Sequence, residues 1–75
     1  MLTESAYAIS KEEVRQAIQL AKKCYRGLPP GTKDAASRTM SDAINNFNKG
    51  RDAYLGIAYD DANRVIRAGQ RNGVC

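Results

Sequence analysis

Apolar residues recur at helical spacing in the first third of the chain, with polar residues between them. The apolar positions are Val14, Ala17, Ile18, Ala21, Cys24 and Tyr25. This spacing places them on one face of an α-helix. Ser10 and Glu13 form a capping-box signature before the stripe, and Gly27 with the prolines after it marks an end. The pattern predicts a first helix over residues 10–27.

A second apolar stripe follows the stiff segment LPPGT. Its members are Ala36, Met40, Ala43, Ile44 and Phe47. We expect Thr32 or Asp34 to cap this helix, because short polar side chains accept hydrogen bonds from the free amides of a first turn. The pattern predicts a second helix over residues 33–48.

The stretch NNFNKGRDAYLG, residues 45–56, admits two structures. Asparagine, lysine and Gly50 are typical of a helix end, with the glycine in the left-handed conformation. Positions 40, 47 and 54, however, keep a seven-residue apolar period across the stretch, as one continuous helix would. A break near residues 48–51 gives a small three-helix bundle, which we favour. A continuous helix gives a two-helix hairpin that dimerises.

The last predicted helix, residues 52–70, has the widest apolar arc. A helix of this kind must be covered on two sides, either by two neighbouring helices or by a second copy of the chain. We therefore expect an all-α protein that forms a homodimer. The expected core or self-association face consists of Phe47, Leu55, Ala58, Ala62, Val65 and Ile66.

The length of 75 residues indicates one helical domain, with residues 1–9 and 72–75 expected to be flexible ends. Cys24 and Cys75 are the two cysteines. A disulfide between them is disfavoured, because small disulfide scaffolds carry more cysteines at closer spacing. The chain shows no signal-peptide pattern and no apolar run long enough for a membrane span. We expect a cytoplasmic protein with a free thiol at its end and no membrane partner.

The residues needed for catalysis are scarce. The chain has no histidine, which removes the usual general base and nucleophile partner. The acidic pairs Glu12–Glu13 and Asp60–Asp61 are neighbours in predicted helices, so their side chains point about 100° apart and do not converge. No phosphate-binding glycine loop is present. We expect no enzyme activity, no cofactor and no metal site.

The basic residues give a net charge of +4 and a pI near 9.3, which suits an acidic partner. Possible anion contacts on one flank of the first helix are Lys11, Arg15, Lys22 and Arg26. Arginine and tyrosine are enriched where proteins bind one another. The expected partner-binding residues are therefore Tyr54, Tyr59, Arg64, Arg67 and Arg71.

These observations predict a small non-enzymatic helical protein that binds another macromolecule. A protein partner is expected, with the chain acting as a regulator or inhibitor of the kind that phages and mobile elements often carry. The alternative is a small basic regulator that binds nucleic acid through its two basic flanks. A third hypothesis is a binder of a small anionic ligand such as a nucleotide. No motif in the chain identifies a family.

Overall fold

The computed structural model describes residues 9–75, which form three helices and no strand. Helix α1 spans Lys11–Arg26, α2 spans Pro30–Lys49 and α3 spans Asp52–Arg71. The predicted three-helix bundle is confirmed. The flexible end expected at residues 1–9 lies, apart from Ile9, outside the described residues. None of the helices within residues 9–75 is long and apolar enough to cross a membrane.

Helix α1 begins with the capping box that the sequence predicts. The Ser10 hydroxyl accepts a hydrogen bond from the Glu13 backbone N–H at 3.1 Å, and the Ser10 N–H donates to Glu13 Oε1 at 3.1 Å. Two of the four free amides at the helix start are thereby satisfied. Ile9 packs against the core beside this turn. The helix ends where the Gly27 N–H donates to the Cys24 carbonyl at 3.1 Å.

Helix α2 begins at Pro30, three residues earlier than the sequence suggested. No side chain caps it, so the expected cap at Thr32 or Asp34 is wrong. The reason lies in the two prolines. Pro29 is extended, with φ −62° and ψ 154°, and Pro30 occupies the first helical position. A proline there lacks only an N–H that would be unpaired in any case, and its ring holds φ near the helical value.

The stretch after α2 is a turn, because Gly50 adopts the left-handed backbone conformation there. Gly50 has φ 72° and ψ 4°, and its N–H donates to the Phe47 carbonyl at 3.1 Å. Arg51 is extended, and α3 begins at Asp52. The left-handed residue reverses the chain, so the two-helix hairpin with a long second helix is not formed. Apolar residues on both sides of the turn face one core, so the seven-residue spacing across the turn does not require a continuous helix.

The core lies along α3, which packs against both other helices, while α1 and α2 contact each other less. The buried residues that α3 contributes are Leu55, Ala58, Ala62, Val65, Ile66, Ala68 and Gly69. Helix α1 supplies Val14, Ile18, Ala21 and Cys24, and α2 supplies Met40 and Ala43. The wide apolar arc of α3 is therefore covered within one chain, by α1 on one side and α2 on the other.

Residues 72–75 turn back onto the bundle and end in a disulfide. Gly73 has φ 70°, and the Val74 N–H donates to the Gly69 carbonyl at 3.0 Å, as in a Schellman motif. Cys75 is bonded to Cys24 of α1, with 5.2 Å between their Cα atoms. The disulfide that the sequence disfavoured is present, and the expected free thiol at the end of the chain is wrong. The reversal at Gly73 brings together two cysteines that lie 51 residues apart in sequence.

Candidate functional site

A groove runs between α1 and the second half of α2, with a volume of about 280 Å³. The residues of this α1–α2 groove are Arg15, Ile18, Gln19, Lys22, Ile44, Phe47 and Asn48. Ile18 is buried, and Ile44 and Phe47 are half-buried against the core, so they form an apolar floor. The polar and charged side chains stand above that floor, which gives the groove an apolar base and a basic rim.

The two cations that line the groove, Arg15 and Lys22, belong to the basic flank of α1. Lys11, Arg15, Lys22 and Arg26 are exposed, and their spacing of four, seven and four residues keeps them within one narrow arc of the helix. Lys11 Nζ lies 5.6 Å and Arg15 Cζ 5.9 Å from the centre of the Phe47 ring. Both distances are within the range of cation–π attraction. The structure thus places two of the four expected anion contacts of α1 over an aromatic residue of α2.

One acidic side chain lies next to this rim. Glu12 forms an ion pair with Arg15 and accepts a hydrogen bond from Gln16 Nε2 at 3.3 Å. The Arg15 and Glu12 side chains are 48% and 59% exposed. An ion pair so open to water contributes little to stability and can be exchanged for another carboxylate.

The three arginines of α3 form a second basic surface. Arg64, Arg67 and Arg71 are exposed along one line of the helix, and we call this line the arginine ridge. Arg64 approaches Asp61 at 3.8 Å while its side chain stays 69% exposed. Neither Arg67 nor Arg71 forms an ion pair with any residue in the range 9–75.

A cleft of about 200 Å³ separates the arginine ridge from the first half of α2. Its lining residues are Thr32, Ala35, Ala36, Thr39, Arg64, Val65, Ala68 and Arg71. Since α2 contributes Ile44, Phe47 and Asn48 to the α1–α2 groove, the two basic surfaces lie on opposite sides of α2. They do not merge into one.

Asp61 is the acidic group closest to the arginine ridge. Burial raises the pKa of its carboxyl, Arg64 opposes that rise, and Asp42 and Asp60 add to it by repulsion. Its side chain is only 13% exposed. Asp61 is therefore placed at the edge of the core, at a position where its charge is poorly solvated.

The two tyrosines expected at a partner site lie apart from the arginine ridge. Tyr54 is half-buried beneath Lys49, whose Nζ is 4.5 Å from the ring centre. Tyr59 is half-buried in a cleft between α1 and α3, beside Leu20 and Ile66. Five positions separate the tyrosines, which turns their side chains about 140° apart. The structure brings the three arginines together but not these tyrosines.

The expected core or self-association residues lie mostly inside the bundle. Leu55, Ala58, Ala62, Val65 and Ile66 are buried. Phe47 is half-buried and forms part of the groove floor.

Two contacts between α1 and α2 were not expected from the sequence. The first is the role of Phe47 beneath Lys11 and Arg15. The second is Lys33 of α2, whose Nζ lies 5.5 Å from the centre of the Tyr25 ring on α1. The spacing of the basic residues along α1 was the one sign of these contacts in the sequence. Their aromatic partners become neighbours only when the helices pack.

Within residues 9–75, no group of three or more cysteine, aspartate or glutamate side chains is arranged to hold a metal ion. The same part of the chain has no buried side-chain nitrogen or oxygen without a hydrogen-bond partner. Comparison with protein-family models, with curated proteins and with solved structures gave no match.

Proposed function

We propose that this protein is a non-enzymatic binding module that regulates or inhibits another protein by docking on an acidic part of its surface. The arginine ridge carries the proposal. It exposes three guanidinium groups, and among the carboxylates of residues 9–75 only that of Asp61 approaches one of them, Arg64, at 3.8 Å. Each guanidinium presents a planar fork of donors that matches a carboxylate. A partner that supplies carboxylates would complete these contacts.

A protein partner is favoured over nucleic acid by the separation of the two basic surfaces. The exposed side of α2 between them carries Asp34 and Asp42 as well as Arg38 and Lys49. A nucleic-acid backbone that crossed from the groove to the arginine ridge would meet these two carboxylates. Electrostatic binding of nucleic acid draws its strength from the number of phosphates neutralised together, and this arrangement limits that number.

The test compares two triple variants in quantitative capture from the protein's native extract. R64Q/R67Q/R71Q removes the arginine ridge, and K23Q/R38Q/R51Q removes three exposed cations elsewhere, so both lower the net charge equally. We expect the first variant to capture at least tenfold less of the partner protein than the wild type does. The second variant should capture as much as the wild type. Equal capture by both variants would refute a role for the ridge.

The two other hypotheses remain testable alternatives. A mobility-shift titration over a salt series measures nucleic-acid binding, which must weaken steeply with salt if several phosphates are neutralised. Thermal shift against a panel of nucleotides measures the binding of a small anionic ligand, since a ligand that binds the folded state raises the unfolding temperature. A strong response in either assay would displace the proposal.

The homodimer stays a prediction. The reason to expect a dimer is the wide apolar arc of α3, but α1 and α2 cover that arc within a single chain. Among residues 9–75, the large apolar side chains that remain exposed are Leu20, Ile57 and Val74, one on each of α1, α3 and the C-terminal segment. Sedimentation at several concentrations distinguishes a monomer of 8.2 kDa from a dimer.

The cytoplasmic location also stays a prediction, and the disulfide points to another setting. Disulfides persist in oxidising compartments and are rare in the reducing cytosol. The Cys24–Cys75 bond therefore favours a secreted, periplasmic or otherwise oxidising environment. Rapid alkylation of intact source cells followed by mass spectrometry tests this, and two alkylated cysteines would support the cytoplasm.

A further inference from the structure

The α1–α2 groove combines an apolar floor with a rim of cations, on the opposite side of α2 from the arginine ridge. We propose that it is a second docking site, which receives an acidic amphipathic segment of a protein partner. Apolar side chains of that segment would lie on Ile18, Ile44 and Phe47, and its carboxylates would contact Arg15 and Lys22. The site is separate from the arginine ridge, and it does not depend on the function proposed there.

The floor suits side chains of a peptide better than a whole small-molecule ligand. The groove volume of about 280 Å³ is below the range of about 300–1,000 Å³ in which drug-sized ligands are held. It is an open depression between two helices that contact each other less than either contacts α3. Amphipathic segments commonly bind in such grooves by inserting a few apolar side chains.

At the Phe47 end of the groove, two cations of α1 are positioned in advance to receive carboxylates. Lys11 and Arg15 are held over the Phe47 ring, which limits their motion without using all of their N–H donors. Cations held in place lose less conformational entropy on binding. Glu12, the acidic neighbour of Arg15, is exposed and can be exchanged for a carboxylate of the partner.

The aromatic geometry and the apolar floor favour a peptide over a nucleic acid. Single strands bind protein by stacking bases on open aromatic faces. Phe47 is half-buried and has two cations within 6 Å of its ring, so only part of the ring lines the groove, which suits contact with an aliphatic side chain better than the stacking of a base. The apolar residues Ile18 and Ile44 also contribute nothing to a contact with phosphate, but they match the apolar side of an amphipathic segment.

The experiment is a titration of ¹⁵N-labelled protein with a synthetic peptide at low salt, followed by NMR. The probe is a 14-residue peptide with leucines at helical spacing and glutamates elsewhere. Its control has the same composition in scrambled order. We expect amide shifts concentrated at the residues of the α1–α2 groove, and at least tenfold weaker binding of the scrambled peptide.

Two charge-matched variants locate the site. R15Q/K22Q is expected to lower the affinity for the peptide at least tenfold. K23Q/R38Q, which changes the net charge equally, is expected to change that affinity less than twofold. The ridge variant R64Q/R67Q/R71Q is expected to bind the peptide normally, so a failure of the ridge and a failure of the groove are distinguishable.

The proposal is overturned by shifts that centre on α3, by equal binding of the scrambled peptide, or by no shift at about 1 mM peptide. Binding of a single-stranded oligonucleotide to the groove in place of the peptide would overturn it too.

Discussion

Gly69 of α3 faces Cys24 of α1 so closely that no side chain fits between them. A Cβ on Gly69 would lie 2.7 Å from the Cys24 Cβ and 2.6 Å from the Cys75 Sγ. The Cys24 Cβ is attached directly to the α1 backbone, so it cannot move away without moving the helix. The absence of a side chain at Gly69 is therefore what lets α1, α3 and the disulfide meet at one point.

Replacing Gly69 with alanine should destabilise the protein. The added Cβ forces α1 and α3 apart, and overpacking of this kind costs about 1–3 kcal/mol. The gain in helix propensity of about 1 kcal/mol offsets part of that cost. We expect a net loss of up to about 2 kcal/mol in the free energy of unfolding, measured by urea denaturation.

Gly56→Ala is the matched control, because Gly56 lies in the same helix and a Cβ there would meet no atom within 4 Å. With helix propensity as the main remaining effect, it should stabilise the protein by about 0.5–1 kcal/mol. If the two variants change stability equally, the contact between Gly69 and Cys24 does not limit helix packing.

The disulfide should provide much of the stability of this small domain. It closes a loop with a sequence separation of 51 residues, for which the chain-entropy account gives about 4 kcal/mol. Domains of this length are typically stable by only about 4–11 kcal/mol in total. We expect Cys75→Ser to lose about 2–4 kcal/mol by urea denaturation, and a reducing agent to lower the stability of the native protein by a similar amount.

The same reducing agent is the control for this prediction when it is added to Cys75→Ser, which has no disulfide to lose. Its unfolding curve should not move. A native protein whose midpoint is the same with and without reductant would show that the bond does not form in solution or does not constrain the unfolded chain.

The features that could be predicted from the sequence are the ones encoded by residues close together in the chain. Ser10 and Glu13 are three residues apart, and Gly50 directly follows the helix that it ends. Each acts through local hydrogen bonds and backbone conformation, so each is visible before the fold is known.

Contacts between distant residues were missed for the opposite reason. Cys24 and Cys75 meet only because α1 packs against α3 and Gly73 reverses the chain, and neither step has a local signature that names the partner. Phe47 likewise meets Lys11 and Arg15 from more than thirty residues away. The periodicity of α1 predicted a basic flank, but it could not show that an aromatic ring lies beneath it.

Gly50 should be difficult to replace, because its φ of 72° lies in the left-handed region that disfavours a Cβ. Open space surrounds it, with Lys11 Nζ at 3.9 Å from an added Cβ as the nearest atom, so the effect of Gly50→Ala would come from backbone conformation. We expect a loss of about 1–2 kcal/mol in the free energy of unfolding.

Gly50→Asn provides the comparison, since asparagine tolerates the left-handed conformation better than alanine does. It should restore part of the stability that alanine loses. If alanine and asparagine are equally well tolerated, the left-handed turn does not determine the break between α2 and α3.

Asp61 should make the stability of the protein fall as the pH rises. Burial raises the pKa of its carboxyl in the folded state above the ordinary value of about 3.9. Between those two pKa values the folded protein holds more protons than the unfolded chain, so stability is lost as the pH rises through this window. At neutral pH the charged Asp61 therefore opposes folding. The change in the free energy of unfolding caused by Asp61→Asn should be more favourable at pH 7 than at pH 3.

The comparison requires urea denaturation of both proteins at the two pH values, with Asp34→Asn as the control. Asp34 is exposed on α2, and its removal changes the net charge by the same amount. The difference between wild type and Asp61→Asn should shrink at pH 3, where the wild-type carboxyl is protonated in both states. The opposite result is that Asp61→Asn destabilises the protein at pH 7 and does so less at pH 3. It would mean that the contact of Asp61 with Arg64 at 3.8 Å outweighs the cost of burying the charge.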